Sequence, residues 1–337
     1  MRRCLHPAFA ATLMALVSFS SLSAAARVVT DETGRRVKVP DHPRRLVSLA
    51  PSITETLYAL GLGDELVGDT DYCDYPPEAT KKPHVGGQMN PSLEAIVALK
   101  PDLVLGTAEG NRRETAEQLA RLGIPLYGLS ARTVDDMLRS ILDLGDVLGE
   151  QAPAQGLAAS LRRRVEAVRK SVDGLARPRV LFVVQYQPLI TAGAHTFISD
   201  VIRLAGGRSV TRDLGQEWPR MSLESALARD PDVILLPQST SFAPDLAQLA
   251  RLPGWKDFRA VKEHRVYLVP DTIVRPSPRL VDALEVVATI LHPARQARIP
   301  VPESLKIQEA QNKLVTRHSF PARPGRALVI DSAEVSR

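Results

Sequence analysis

The sequence has little cysteine and few aromatic side chains. It contains two cysteines, Cys4 and Cys73, and aromatic residues make up 4% of the chain. Cys4 falls in an expected secretory leader, so Cys73 would be the only thiol left after processing and an intramolecular disulfide is excluded. A secreted protein without disulfides needs a large hydrophobic core, and the remaining length is sufficient for one.

Motifs for catalysis, nucleotide binding and metal binding are also missing. The chain has no G-x-S-x-G nucleophile elbow, no P-loop and no H-E-x-x-H zinc motif. The histidines after the leader are His42, His84, His195, His264, His292 and His318. None has metal-ligand spacing, and each is expected at the surface or in a loop. The sequence therefore predicts neither an enzyme nor a metal site.

The two ends of the chain differ from its middle. Residues 1–26 have a basic start, a short apolar stretch and a small-residue end, which predicts a cleavable secretory signal peptide. Residues 296–337 contain several prolines and few large apolar side chains, so we expect a mostly disordered tail. The chain carries a net charge of +5, but these two segments hold the excess. Residues 27–295 are close to neutral, so nucleic-acid binding is not expected.

An internal repeat is the most informative feature. Residues 92–105 are matched without a gap by residues 222–235, with 7 of 14 positions identical. In each copy a serine is placed to cap a short helix, a glutamate follows in the first turn, and a proline ends the helix before a buried strand. The repeat predicts two similar lobes with Glu94 and Glu224 at equivalent positions. Helix-start chemistry would explain one such glutamate, whereas the matched pair also favours a shared functional role.

Alternating strand and helix patterns on both sides of a long charged helix predict an α/β fold. We expect two similar α/β lobes with parallel sheets, joined by this one helix, with a ligand cleft between them. The predicted divisions are a signal peptide over 1–26, an N-terminal lobe over 27–150, the connecting helix over 151–176, a C-terminal lobe over 177–295 and the tail over 296–337. Ser52 is expected to cap the first helix, with Glu55 completing a capping box.

Ligands of open α/β sheets bind beside the carboxyl ends of the strands, which selects loops in both lobes. The candidate ligand-binding residues in these loops are Pro51, Ser52, Tyr72, Gly87, Thr107, Tyr186, Trp218, Asp271 and Arg275. Because aromatic residues are scarce, Tyr72, Tyr186 and Trp218 stand out, and flat rings suit a large or flat organic ligand. Tyr75 precedes two prolines and is better explained by packing of a turn.

The motifs together resemble a known family. The segments that carry the likeness are residues 48–55, 72–77, 90–94 and 99–102 in the first half and residues 218–224 and 275–279 in the second. They are similar to segments of the periplasmic vitamin B12-binding proteins. Those proteins belong to the helical-backbone (class III) solute-binding proteins of ABC importers, together with siderophore and haem binders. The likeness covers roughly residues 44–293.

The resemblance implies a monomeric binding protein, without catalytic activity or a catalytic cofactor, that delivers cobalamin or a related corrinoid to a permease dimer with its ATPase subunits. It implies that Glu94 and Glu224 dock onto permease arginines. It also implies that Tyr72, Trp218 and Asp271 line the pocket, with Arg275 at the pocket edge. Two positions that hold tryptophan in the enterobacterial B12 protein fall here near Gly86-Gly87 and Thr107-Ala108, so the pocket would have less aromatic surface.

Two alternatives lie within the same class of protein. A haem binder would use Tyr72 as an axial ligand, whereas a ferric-siderophore binder would use clustered arginines such as Arg220 and Arg275. An extracytoplasmic enzyme or metal-trafficking protein is an alternative from a different class. It would need a nucleophile–base pair or a ligand cluster, and the sequence shows neither.

Overall fold

The computed structural model describes residues 26–238 and 246–294, and its first half is an antiparallel strand pair followed by an α/β lobe. The strands of this half are β1 (Ala26–Thr30), β2 (Arg36–Pro40), β3 (Leu46–Ser48), β4 (Leu66–Gly68), β5 (Leu103–Thr107) and β6 (Leu126–Leu129). Its helices are α1 (Pro51–Ala59), α2 (Leu93–Ala98), α3 (Arg113–Arg121) and α4 (Val134–Leu148). The lobe's sheet has the order β4-β3-β5-β6, and all its neighbouring strands are parallel.

The second half begins with the long helix α5 (Gln151–Val172). Its strands are β7 (Arg179–Tyr186), β8 (Leu189–Thr191), β9 (Arg208–Ser209), β10 (Val233–Gln238) and β11 (Val266–Pro270). Its other helices are α6 (Phe197–Leu204), α7 (Leu223–Ala228), α8 (Leu246–Leu249), α9 (Arg259–Lys262) and α10 (Leu280–Leu291). The sheet has the order β11-β10-β7-β8, with β9 also on β7.

The two sheets confirm the predicted α/β fold class. Strands β7, β9, β10 and β11 are parallel, whereas β8 runs antiparallel to β7 as the returning arm of a hairpin. Neither this hairpin nor the β1-β2 pair was predicted, because β1, β2 and β8 are short and carry no long apolar run. The central strands β5 and β10 are buried along most of their length, as expected for parallel strands that are covered on both faces.

Helix α5 supplies the connection that the apolar periodicity predicts. Ala158, Leu161, Val165 and Val168 repeat at spacings of three and four and form its buried stripe. The boundaries at 150/151 and 176/177 remain predictions. One continuous hydrophobic cluster contains α5 together with residues of both lobes, for example Leu105, Leu144, Ile198 and Leu284. The lobes are therefore joined by a shared core as well as by the helix.

The sequence repeat has the same backbone geometry in both lobes. Ser92 Oγ accepts a hydrogen bond from the Ala95 amide at 3.2 Å, and Ser222 Oγ accepts one from the Ser225 amide at 3.1 Å, which confirms both predicted helix caps. Each helix then reaches a non-glycine residue in the left-handed region just before the proline. Lys100 has φ +47° and Asp230 has φ +42°, a conformation that is uncommon for residues with a Cβ.

Two local predictions were wrong. Pro51 is the first residue of α1 and Ala50 is its N-cap, so Ser52 does not cap the helix. Proline suits that position because its missing amide has no partner in the first turn anyway. Glu55 consequently forms no capping box, and its side chain is buried against the second lobe. His292 was expected at the surface or in a loop but is buried at the end of α10, and burial lowers its pKa.

Candidate functional site

Asn111 holds three loops of the first lobe together at the carboxyl end of the sheet. Its Oδ1 accepts the Thr107 amide at 2.7 Å, and its Nδ2 donates to the carbonyls of Leu49 at 3.2 Å and Gln88 at 2.7 Å. Gly110 leaves room for the Gln88 side chain, because a Cβ there would lie 1.8 Å from its nitrogen and would displace it. The organising role of Asn111 was not predicted, because it depends on carbonyls that are distant in the sequence.

Tyr72 lies on the rim that these loops form. The Asp71 amide donates to the Gly86 carbonyl at 3.1 Å, which brings the two segments side by side. A Cβ on Gly87 would lie 3.9 Å from the Tyr72 ring, so the ring sits beside this glycine with 60% of the residue exposed. Met89, in the next loop, is 59% exposed and was not singled out from the sequence.

Trp218 reaches the surface of the second lobe in an unpredicted way. It was expected to follow a strand end, but it lies on an irregular segment that runs antiparallel to β8. The Thr191 amide donates to the Pro219 carbonyl at 3.1 Å, and the Met221 amide donates to the Leu189 carbonyl at 3.1 Å. The indole ring packs edge-on against Phe197, with 6.4 Å between ring centroids, and the residue remains 40% exposed.

A charged cluster joins the lobes where β3 and β11 end. Glu55, on α1, accepts Arg275 Nη1 at 2.9 Å, Ser277 Oγ at 2.6 Å and Arg279 Nη1 at 3.3 Å. Arg275 Nη2 also donates to Asp74 Oδ2 at 3.0 Å. We call these five residues the inter-lobe cluster. Glu55 was not predicted as a tertiary contact because its position looked like ordinary helix-start chemistry.

The electrostatics keep Arg275 charged. Burial by itself lowers the pKa of Arg275, but the carboxylates of Asp74, Asp271 and Glu55 more than offset this and hold it above its usual value. The same arginine lowers the pKa of Asp74. Arg275 was predicted at the pocket edge, and its guanidinium is directed at the first lobe, with 15% of the side chain exposed. Asp271 lies 3.0 Å from Arg275 Nη2.

Two more contacts cross between the lobes. The Arg279 guanidinium carbon lies 3.8 Å from the centroid of the Tyr75 ring, which is a cation–π geometry. Tyr75 therefore contacts the second lobe and does more than pack a turn. Arg132 Nη2 lies 3.1 Å from Glu217 Oε1, next to Trp218. The lobes are thus tied by polar contacts near two of the loops selected from the sequence.

The remaining predicted ligand residues are distributed along the same ends of the sheets. Ser52 and Thr107 line one small cavity of about 20 Å³ with Pro276 of the second lobe. Pro51 is half-buried at the start of α1, and Tyr186 is half-buried at the end of β7. The structure therefore brings Ser52 and Thr107 together.

Glu94 and Glu224 occupy matching exposed positions. Each lies in the first turn of a short helix, α2 or α7, that leads into the amino end of a central strand. Both helix starts consequently point toward the carboxyl ends of the strands. The pKa of Glu224 is lowered by its own backbone amide and by the Ser222 hydroxyl, so its carboxylate is charged at neutral pH.

Neither a metal cluster nor a membrane-spanning helix is present in the described ranges 26–238 and 246–294. No group of three or more His, Cys, Asp or Glu side chains in these ranges is arranged to hold a metal ion. Within the same ranges, no helix has the length and apolar character needed to cross a bilayer. The expected leader, apart from Ala26, and the expected tail lie outside the described residues.

Comparisons with known proteins agree with this architecture. Residues 46–272 match the family described as "Periplasmic binding protein". This chain belongs to that family. The vitamin B12-binding protein of Vibrio cholerae (classical strain O395) is 31% identical over 259 residues, which are 76% of this chain and 92% of the relative. The predicted resemblance is confirmed.

Two solved structures extend the comparison. The periplasmic vitamin B12 binding protein BtuF of Vibrio cholerae has a TM-score of 0.68 and 31% identity, covering 75% of this chain and 98% of that one. The periplasmic heme-binding protein RhuT from Roseiflexus sp. RS-1, in its apo form, has a TM-score of 0.68 and 30% identity, covering 75% of this chain and 99% of that one. The two-lobed fold of periplasmic binding proteins is therefore shared by relatives named for different ligands.

Proposed function

We propose that this chain is the periplasmic solute-binding component of an ABC importer and that it captures cobalamin or a related corrinoid without catalysing a reaction. The observation that carries the ligand proposal is the pair Tyr72 and Trp218. Each lobe presents one of these rings, 60% and 40% exposed, in a chain with few aromatic residues. Rings of this kind stack on large organic ligands. The name of the Vibrio cholerae relatives supports the same ligand class.

The ligand residues of this proposal are Pro51, Ser52, Tyr72, Gly87, Thr107, Tyr186, Trp218, Asp271 and Arg275. Arg275 would act in two ways, because it already bonds Glu55 and Asp74. It would fix the separation of the lobes and present its remaining edge to the ligand. No resident cofactor or metal is part of this proposal.

The partner in this proposal is a permease dimer with its ATPase subunits, which would receive the ligand from a monomeric binding protein. Glu94 and Glu224 are the proposed docking residues, since both are exposed at matching helix starts. A cleavable leader would carry the chain to the periplasm. Because the lobes share one core and the inter-lobe cluster, closure on binding would be small. Scattering profiles with and without ligand should nearly superimpose, and a large fall in the radius of gyration would contradict this.

Titration calorimetry of the purified protein with cyanocobalamin, haem and a ferric siderophore tests the ligand. We expect saturable one-to-one binding of cyanocobalamin, and a cobalamin absorbance spectrum that travels with the protein through gel filtration. Binding of haem in preference to cobalamin would overturn the corrinoid proposal and favour Tyr72 as an axial ligand, an alternative supported by its exposed ring. The siderophore alternative is less well supported, since Arg275 is already paired with carboxylates.

A further inference from the structure

A cavity of about 410 Å³ lies along α6 and β9 of the second lobe. Arg177 and Arg208 lie on its wall. In the sheet, Arg208 of β9 lies opposite Arg179, at the amino end of β7. Tyr186 marks the opposite, carboxyl end of the same strand. At about 3.3 Å per residue, the two ends of β7 are roughly 20 Å apart. This wall is therefore distant from the Tyr186 loop, whereas Arg132, on another wall of the cavity, pairs with Glu217 next to Trp218.

Five arginines and one carboxylate line this space, which we call the arginine cavity. The arginines are Arg132, Arg177, Arg203, Arg208 and Arg212, and the carboxylate is Asp200. Asp200 bonds Arg203 at 2.9 Å, and Arg132 pairs with Glu217. Across residues 26–238 and 246–294, the other three arginines have no carboxylate within ion-pair distance.

This uncompensated charge is not a consequence of overall composition. Residues 27–295 are close to neutral. Elsewhere in the described residues some arginines, such as Arg164 and Arg229, are paired with carboxylates, whereas Arg162 and Arg163 are not. The cavity differs in bringing three arginines without an ion pair around one space. Arg177, Arg208 and Arg212 place like charges around one cavity, where they repel each other, although Asp213 partly offsets the charge of Arg212. An anion that binds among them relieves that repulsion.

Three hydroxyl groups of the wall already donate or share hydrogen bonds, so the arginines, together with His195, are the main side-chain donors facing the cavity. Ser199 Oγ and Thr196 Oγ1 both donate to the Gly193 carbonyl, at 2.6 Å and 3.0 Å. Ser209 Oγ and Thr211 Oγ1 are 3.0 Å apart and share a hydrogen bond. Guanidinium forks match the oxygen geometry of phosphate groups and form paired charge-assisted hydrogen bonds with them. A volume of about 400 Å³ is within the usual range for organic ligand cavities and exceeds what a single small ion fills.

We propose that the arginine cavity binds a ligand carrying two or more phosphate groups, at a site centred on the wall near the amino end of β7. The shared chemistry is a multiply charged phosphate. A soluble phosphorylated compound and a phosphate-bearing lipid headgroup are the two sources that supply it. Arg177, Arg208 and Arg212 are the proposed contacts.

Calorimetric titration of the purified protein with inorganic pyrophosphate, at constant ionic strength, tests the site. We expect saturable binding that is tighter than binding of orthophosphate. The substitutions Arg208→Gln and Arg212→Gln should each weaken it about tenfold, since each removes charge-assisted hydrogen bonds. Arg208→Lys should restore only part of the affinity, because lysine keeps the charge but lacks the fork.

The matched control is the Arg162→Gln, Arg163→Gln double variant, which removes two arginines from an exposed groove on α5 that also contains Glu166 and Lys170. It should bind pyrophosphate as the unmodified protein does. Equal weakening in the control and in the cavity variants would show diffuse charge attraction and overturn the proposal. Absence of pyrophosphate binding at millimolar concentration would also overturn it.

Two further experiments distinguish a lipid headgroup from a soluble ligand, and the cavity proposal from the corrinoid proposal. Co-sedimentation with vesicles containing phosphatidic acid, lost in the cavity variants, would identify a lipid headgroup. Pyrophosphate binding without co-sedimentation would identify a soluble ligand. Cyanocobalamin affinity should be unchanged in Arg208→Gln. A protein that binds pyrophosphate but not cobalamin would overturn the corrinoid proposal alone, and the opposite result would overturn the cavity proposal alone.

Discussion

The two lobes use the repeated Pro-Asp pair for the same backbone task but surround it with different side chains. Asp102 Oδ2 accepts the Arg45 amide at 2.9 Å at the start of β3, and Asp232 Oδ2 accepts the Arg179 amide at 2.7 Å at the start of β7. The guanidinium of Arg45 donates to the Leu99 carbonyl, whereas the guanidinium of Arg179 forms an ion pair with Asp232 itself. The repeat therefore fixes how a central strand begins and leaves the neighbouring charges free to differ.

Two aspartates, one in each lobe, have pKa values shifted in opposite directions. In the first lobe, Asp69 is fully buried, with one oxygen 2.8 Å from His84 Nδ1 and the other without a hydrogen-bond partner in the described structure. Burial raises the pKa of Asp69 to about 6, although His84 opposes that rise. In the second lobe, burial also acts to raise the pKa of Asp232, but hydrogen bonds from Arg179 and Arg259 lower it overall. These two aspartates should therefore contribute to the pH dependence of stability with opposite signs.

The largest expected effect comes from breaking the contact between the lobes. Glu55→Gln removes the buried charge that pairs with Arg275 and Arg279, and should lower the free energy of unfolding by about 3–5 kcal/mol. Glu65→Gln is the matched control, since its partner Arg44 is 72% exposed, and it should cost about 0–1 kcal/mol. Urea unfolding measures both. Equal, small losses would show that the shared hydrophobic core alone holds the lobes together.

The buried acid of the first lobe should produce a measurable slope with pH. Asp69 has a folded pKa of about 6 against an ordinary value of 3.8, so the folded state binds the proton more tightly. Stability should fall as pH rises from about 4 to 6, by roughly 2–3 kcal/mol from this group. Asp69→Asn should flatten that part of the profile, measured by denaturant unfolding at several pH values. A slope identical to that of the unmodified protein would contradict the assignment to Asp69.

The second lobe should show the reverse dependence through Asp232. Because its folded pKa is lowered, its stabilising contribution is present above the unfolded value, near 4, and is lost as pH falls through the folded pKa. Asp232→Asn should cost about 1–3 kcal/mol at pH 7, since a charged acceptor of the Arg179 amide is lost. Asp102→Asn should cost less, because Asp102 pairs with no guanidinium in the described structure. A larger loss for Asp102→Asn would reverse this comparison of the lobes.

Removing a proposed ligand ring should have a smaller effect, which appears in ligand affinity and not in stability. Trp218→Ala should weaken cobalamin binding by about 0.5–1.5 kcal/mol, or roughly threefold to tenfold, while the melting temperature barely changes because the ring is 40% exposed. Trp255→Ala is the control within the same lobe. That residue is 2% exposed, so its truncation should cost about 3–5 kcal/mol of stability. If both variants lost similar amounts of melting temperature, Trp218 would be a core residue, as Trp255 is, and its role as a ligand ring would be contradicted.

The smallest effect on the isolated protein should come from the matched glutamates. The double change Glu94→Ala, Glu224→Ala should leave cobalamin affinity and unfolding unchanged, since both side chains are exposed. It should impair transport in cells, and more than either single change. Uptake of labelled cobalamin measures this, with Glu114→Ala, also an exposed first-turn glutamate, as the control. Normal uptake by the double variant would show that Glu94 and Glu224 are not needed for docking onto the permease.

Patterns within short segments of the sequence determine much of this protein. The periodicity of α5, the caps at Ser92 and Ser222 and the buried strands β5 and β10 depend on residues only a few positions apart. The repeat extends this local information to two lobes. Motifs spread over most of the chain then indicate the family, which the match over residues 46–272 confirms.

Only the tertiary structure decided which side chains meet. Glu55 and Arg275 are separated by 220 residues, and Asn111 reaches the Leu49 carbonyl 62 residues away. The neighbours of Glu55 in the sequence indicate helix-start chemistry, yet its burial makes it a contact of the second lobe. The arginine cavity likewise draws Arg132 and Arg208 from different lobes. Caps and periodicity are local properties of the backbone, whereas the partner of a buried charge depends on how the sheets and α5 pack, which no short segment encodes.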